Sequence, residues 1–198
     1  MTESIGAAFE DGQRAVEAAR DAVEGYVREG RRENLGSMYE GFYARTGAFV
    51  RLESTRGRGR LRGCAGDYES SDHLGERIVD AAVTAASDAS RDALRPAELD
   101  DVCVSVCIVE DARRCDDPRT DVEIGRDGVV VEARSGSGWL YPTVPVENGW
   151  SPADYLERTC RSADLPPTAW RDDDTAVVRF SGHVFRERAP GGGVEHVQ

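Results

Sequence analysis

The sequence predicts an α+β fold: an antiparallel or mixed β-sheet flanked by helices, with a smaller, closely packed second lobe. Three observations predict it. Helix-like and strand-like hydrophobic periods are interspersed without regular βα alternation, which disfavours a doubly wound parallel sheet. Strand-like runs follow one another across short glycine-bearing loops, the pattern of hairpins. The 198 residues suffice for one folding unit with a sizeable core, expected over 1–187, ahead of a glycine-rich tail over 188–198 that is expected to be disordered.

Each element has its own signal. Ile5, Phe9, Val16, Ala19, Val23 and Val27 recur at helical spacing, so a first amphipathic helix is expected to end near Gly30. Ala48–Leu52 and Arg60–Cys64 read as two strands of a hairpin around a loop from Thr55 to Gly59. Asp72 is placed to cap a second helix carrying Leu74, Ile78, Ala81, Ala82, Ala85 and Ala86, whose small residues suit close packing on a sheet; Pro96 closes it. Val102–Val109 alternates as a strand. The segment VEIGRDGVVVEA then predicts a short strand, a turn at Asp127-Gly128 and another strand, with Trp139–Tyr141 pairing beside it. Ser151-Pro152-Ala153-Asp154 is a capping-box start for a helix that buries Leu156, Cys160 and Ala163 and stops at Pro166-Pro167. Ala176–Phe185 is the last expected strand.

Composition excludes several function classes. Net charge is -12, which argues against duplex DNA, since phosphate-backbone binding needs a basic surface to displace counterions. All 25 basic residues are arginine, set against 37 Asp and Glu, a balance expected of a halophilic, acidic proteome whose salt screens the self-repulsion. The N-terminal residues are acidic and lack an apolar signal core, and no stretch approaches the roughly 20 apolar residues of a membrane span, so a cytoplasmic location with no membrane partner is expected. Five cysteines without a repeating pair spacing read as reduced thiols; Cys103 and Cys107 on one strand would stand roughly 13 Å apart, beyond disulfide reach.

The segment Leu61-Arg62-Gly63-Cys64-Ala65-Gly66 is the most informative. If it is extended, Arg62 and Cys64 share one face, and a guanidinium beside a thiol favours the nucleophilic thiolate, while Gly63 and Gly66 open room for a ligand or another backbone. Burial as a small apolar side chain is an equally open reading of Cys64. The arginines at 56, 58, 60 and 62 form a basic cluster fit for a small anionic ligand or single-stranded RNA, with a solvated hairpin tip as the alternative. His183 is a candidate base for Cys64 only if the fold joins them; His73, His183 and His196 share no metal-ligand spacing, and no metal or cofactor is called for.

LRGCAG also resembles the LRGCIG signature of the AMMECR-type family, named for the AMME-syndrome chromosomal region, and the resemblance continues in order along most of the chain. AAVTAASDASR is similar to the family's alanine-rich helix with its acidic-arginine end, here Asp88 and Arg91. VEIGRDGVVV resembles its IGxxG hairpin, GWLYPTVPVENGW its LPQV loop and DYLERTCRSADLPPTAW its KAGLP-bearing helix, with departures at Ala65, Thr143, Ser162 and Asp164. The resemblance implies a larger and a smaller lobe and a groove by the LRGC segment as candidate active site. Carried over, the catalytic candidates are Cys64 and Arg62, and the ligand-binding candidates Gly63, Gly66, Asp88, Arg91 and Pro142. It further implies either a cysteine-dependent enzyme or a noncatalytic adaptor for Memo-like or radical-SAM partners; the chain itself has no CxxxCxxC and so no iron–sulfur site of the radical kind.

Overall fold

A computed structural model of the chain describes residues 2–32, 40–56, 60–88 and 92–197. They form two compact units, 1–108 with 183–197 and 109–182. The architecture is α+β, and the strand pairings described below are antiparallel.

In the first unit α1 (Thr2–Glu29) is followed by β1 (Ala48–Ser54), β2 (Arg60–Asp67) and α2 (Leu74–Ala86). A 3-10 turn (Pro96–Asp101) leads into β3 (Val102–Arg114), whose first half lies in this unit. The strand order is β2-β1-β3-β6, where β6 is Ala176–Glu187. Alternation explains the core: Ala48, Val50 and Leu52 of β1 and Val102, Val104 and Val106 of β3 point to one face and pack with Val16, Ala19 and Val23 of α1 and Ile78, Ala82 and Ala85 of α2. The expected face of α1 is thus the buried one from Val16 onward; the side chains of Ile5 and Phe9 lie outside the described residues. Inside this layer Arg20 and Glu187, 7% and 3% exposed, form an ion pair (Nε to Oε1, 2.9 Å), and Glu187 also accepts from the Val104 amide at 2.8 Å.

The second unit carries α3 (Pro118–Asp121), β4 (Gly128–Ala133), β5 (Gly136–Leu140), α4 (Thr143–Asn148) and α5 (Pro152–Ser162). Its strand order is β3-β6-β4-β5. Val129 and Val131 of β4, Val177 of β6, and Tyr155, Leu156 and Cys160 of α5 form its core. The capping box of α5 is present as expected: the Ser151 hydroxyl accepts from the Asp154 amide (3.3 Å), and the Asp154 carboxylate accepts from the Ser151 amide (3.1 Å).

Four expectations are corrected. The cap of α2 is His73, whose Nδ1 donates to the Tyr43 carbonyl at 2.9 Å, while Asp72 bridges Arg77 at 3.2 Å. That helix ends at Ala86, and Pro96 opens the next turn rather than closing the helix. Asp127-Gly128 is not a hairpin turn, because the Asp127 carboxylate folds back onto the Glu123 amide at 2.9 Å and closes a local turn; the hairpin joins β4 to β5 instead. Finally, the tail is ordered through Val197: Val194–His196 forms β7, paired with β6, and Glu195 bridges Arg186 (2.9 Å) and Arg188 (3.4 Å). The glycines that suggest disorder make the reversal, with Gly191 at φ 64.

Candidate functional site

The LRGCAG segment lies in β2, and its pairing with β1 slips between Leu52 and Glu53. Leu52 faces Gly63 and Glu53 faces Leu61, so Arg62 is the extra residue of a β-bulge. The regular alternation expected to put Arg62 beside Cys64 is broken there. Arg62, with a side chain 10% exposed, donates from Nε to Glu98 Oε1 (3.0 Å) and from Nη2 to the Asp92 carbonyl (3.2 Å). Cys64, beyond the bulge and half-buried, stands opposite Arg51, which in turn stands opposite Ser105 of β3. Directly opposed residues hold their Cβ atoms about 4.5–5.5 Å apart. The guanidinium across from the thiol is therefore that of Arg51, which is bridged to Glu53 at 2.7 Å.

The two glycines are required by neighbouring backbone. A Cβ on Gly63 would sit 1.9 Å from the Ala85 carbonyl oxygen of α2, so this position lets helix and strand approach. Gly66 has φ +145, and a Cβ there would lie 2.3 Å from the Ala48 carbonyl oxygen. Asp88 is half-buried just after Ser87, the C-cap of α2. Pro142 is a buried residue of the second unit, at the start of α4. Arg91 and Arg58 lie outside the described residues. His183 stands on β6, three strand steps or roughly 14 Å from β2, with its Nδ1 3.2 Å from His196 Nε2, which removes it as a direct base for Cys64.

What gathers around Arg62 is a cleft of about 500 Å³ lined by Ser54, Arg56, Arg60, Arg62, Asp92, Arg95 and Glu98. β1 and β2 supply its hairpin side; the 92–98 segment supplies the other. Three guanidinium groups are tied down: Arg56 to Asp101 at 2.6 Å, Arg62 to Glu98 at 3.0 Å and Arg95 to Glu98 at 3.1 Å. Arg60 has no ion pair among the described residues. Burial works against the charge of Glu98, but hydrogen bonds from Arg62 and Arg95 outweigh it and hold the carboxyl below its ordinary value. Such a half-screened arginine fork suits an oxyanion, which it binds through paired N–H donors.

Arg51, Arg95 and Glu98 are the residues that sequence reasoning missed. Arg95-Pro96-Ala97-Glu98 does carry a visible signal, a proline opening a turn with a glutamate three positions after the cap, and Glu98 accepts from the Arg95 amide at 3.1 Å. Nothing in that pattern says that the turn faces β2.

None of the five cysteines is in a disulfide. Burial pushes the Cys103 and Cys160 thiols up and, with help from the Asp121 carboxylate, pushes Cys115 to about 11. Among the described residues no three His, Cys, Asp or Glu side chains converge as a metal site, and no helix is long and apolar enough to cross a membrane.

Comparison with known proteins adds lineage. The family model AMMECR1 matches residues 16–185. A protein of Halobacterium salinarum is 52% identical over 193 residues, covering 93% of this chain and 92% of its own. One of Thermococcus gammatolerans is 38% identical over 191 residues, covering 92% and 93%. The crystal structure of an uncharacterised protein from Pyrococcus horikoshii matches with a TM-score of 0.83 at 32% identity, over 94% of this chain and 96% of that one.

Proposed function

Since this chain belongs to the AMMECR1 family, we propose that the strand bearing its LRGC segment builds a binding site for a small anionic ligand, with Arg60 and Arg62 as the principal contacts. The observation that carries the reading is the concentration of four arginines around one cleft on a chain of net charge -12. Like charges so close repel one another, and the carboxylates of Asp92, Glu98 and Asp101 relieve only part of that repulsion. An anion relieves the rest. Arg62 is held in place before binding by Glu98 and the Asp92 carbonyl, so little rotamer entropy is lost when it engages a ligand. Arg60 brings the cation that has no ion pair among the described residues.

Isothermal titration with inorganic phosphate and sulfate tests this. Wild type should bind, Arg60→Glu should bind at least about tenfold more weakly, and Arg134→Glu, a charge reversal at the exposed turn after β4, should match wild type. Equal loss in both variants, or no binding by wild type, would sink the proposal. The same titration separates it from the adaptor alternative, because docking of a Memo-like or radical-SAM protein does not require the isolated chain to hold a small anion.

A second reading rests on the cross-strand row Cys64–Arg51. Arg51 favours a thiolate at Cys64, as a nucleophile or ligand, while Glu53 draws off part of that positive field. Alkylation of Cys64 in the folded protein should then be faster near pH 7 than in an Arg51→Gln variant. Labelling of Cys64 only after unfolding would end this reading and leave the anion site untouched.

A further inference from the structure

On the reading that the arginine cleft holds an anion, we infer that its ligand is a phosphorylated polyol, a small organic phosphate carrying several free hydroxyls. The inference comes from what lines the cleft and from its size. The cleft's volume of about 500 Å³ is many times what a single ordered water needs. Inorganic phosphate, with five heavy atoms, fills a small part of that. The remaining space belongs to the rest of the ligand.

The lining states what that remainder is made of. Every described lining residue is charged or polar: four arginines, Asp92, Glu98 and Ser54. Small-molecule sites that bind apolar or aromatic bodies are walled mainly by apolar and aromatic side chains, and sites for single-stranded nucleic acid offer aromatic platforms on which bases stack. Neither occurs among the described residues here. An acyl chain would be desolvated against arginine and carboxylate without return, and a nucleobase would meet guanidinium planes but no aromatic platform, whereas a hydroxylated carbon skeleton exchanges its water hydrogen bonds for protein ones. Acceptors are at hand. Asp92 lines the same cleft as the arginines, its carboxylate has no ion pair among the described residues, and its carbonyl accepts from Arg62 at 3.2 Å. Ser54 Oγ accepts from the Arg56 amide at 3.1 Å and keeps a hydroxyl proton to donate.

The functional groups thus divide. A phosphate, carrying about -1.5 to -2 at pH 7, engages the two guanidinium groups of Arg60 and Arg62, and hydroxyls are read by Asp92 and Ser54. A carboxylate so close to an anion site is costly for a bare polyanion, because it repels it. For a phosphorylated polyol the same carboxylate is a hydroxyl acceptor.

Titrations at one fixed salt concentration test it, using inorganic phosphate, a hexose monophosphate, the unphosphorylated hexose, adenosine monophosphate, citrate and a short oligouridylate. The hexose phosphate should bind at least about tenfold tighter than inorganic phosphate, the free hexose or the nucleotide. Arg60→Gln should weaken every phosphorylated ligand alike. Asp92→Asn should reduce the advantage of hexose phosphate over inorganic phosphate and leave inorganic phosphate equal or tighter. If inorganic phosphate, citrate, the nucleotide or the oligouridylate equals or exceeds the hexose phosphate, the polyol assignment is overturned and the anion site stands. If no phosphorylated compound binds, both fall.

Discussion

Replacing Gly63 by alanine adds one methyl group at the point where β2 meets α2. Built on the present backbone, that carbon would lie 1.9 Å from the Ala85 carbonyl oxygen and 2.9 Å from its carbonyl carbon. Ordinary contact begins near 3.4 Å, so strand and helix must separate by more than an ångström, and the obstacle is main chain that cannot rotate aside. Overpacking of this kind costs about 1–3 kcal/mol, and a backbone obstacle in a layer where Ala82, Ala85 and Leu52 are fully packed places Gly63→Ala at the upper end. For a chain of this size about 3 kcal/mol corresponds to a fall in Tm of roughly 6–12 °C. Thermal melts and urea unfolding, with an unchanged m-value, measure it. The comparator is Gly30→Ala: Gly30 has φ +66 and nothing within 4 Å, so only the left-handed backbone term of about 1 kcal/mol applies. If Gly63→Ala melts within about 1 °C of wild type yet loses phosphate binding, the glycine serves ligand access and the helix-packing argument is wrong.

Three further outcomes are expected. Glu187→Gln removes the buried carboxylate from Arg20, which keeps Glu24 at 3.8 Å, and should cost about 1.5–3 kcal/mol in denaturant unfolding, while Glu195→Gln, which loosens partly exposed pairs, should cost under about 1 kcal/mol; equal effects would contradict the buried-pair account. Because the Glu98 carboxyl is held below its ordinary 4.5, its contribution is complete above that value and is lost as pH falls through the lower folded one. Glu98→Gln should therefore flatten the fall of Tm as pH drops below 4.5, and an unchanged acid limb would refute the coupling to Arg62 and Arg95. With its thiol pushed up to about 11 from an ordinary 9.0, Cys115 should alkylate at pH 8 about a hundredfold more slowly in the folded chain than in the unfolded one, as peptide-resolved mass spectrometry would read; comparable rates would dismiss the burial argument.

Local patterns in the chain carried the elements they specify locally. The capping box at Ser151 and Asp154, the buried stripes of α1 and α2 and the alternation of β1, β3 and β6 depend on residues a few positions apart, and such near-neighbour physics is written in the sequence. The α+β class followed from the order of those signals, and the LRGC segment was visible as the place to look. Where the chain reads only turn chemistry, the outcome was decided elsewhere: the glycines near 191 suit a disordered tail as well as a reversal, and the pairing of Val194–His196 with β6 chose between them.

The site itself belongs to the tertiary structure. A one-residue bulge at Arg62 decides which face each side chain of the motif takes, and pairing register, not sequence spacing, sets Arg51 opposite Cys64. Glu98 comes to Arg62 from 36 positions away, because α2 stops at Ala86 and lets the chain return beside the hairpin. Composition alone determined that the chain is acidic, lysine-free and rich in arginine at one loop. Only folding decided that Arg56, Arg60 and Arg62 line a cleft with Arg95, since a field of like charges becomes a binding site when other parts of the backbone fix their separation and supply the carboxylates that make it tolerable.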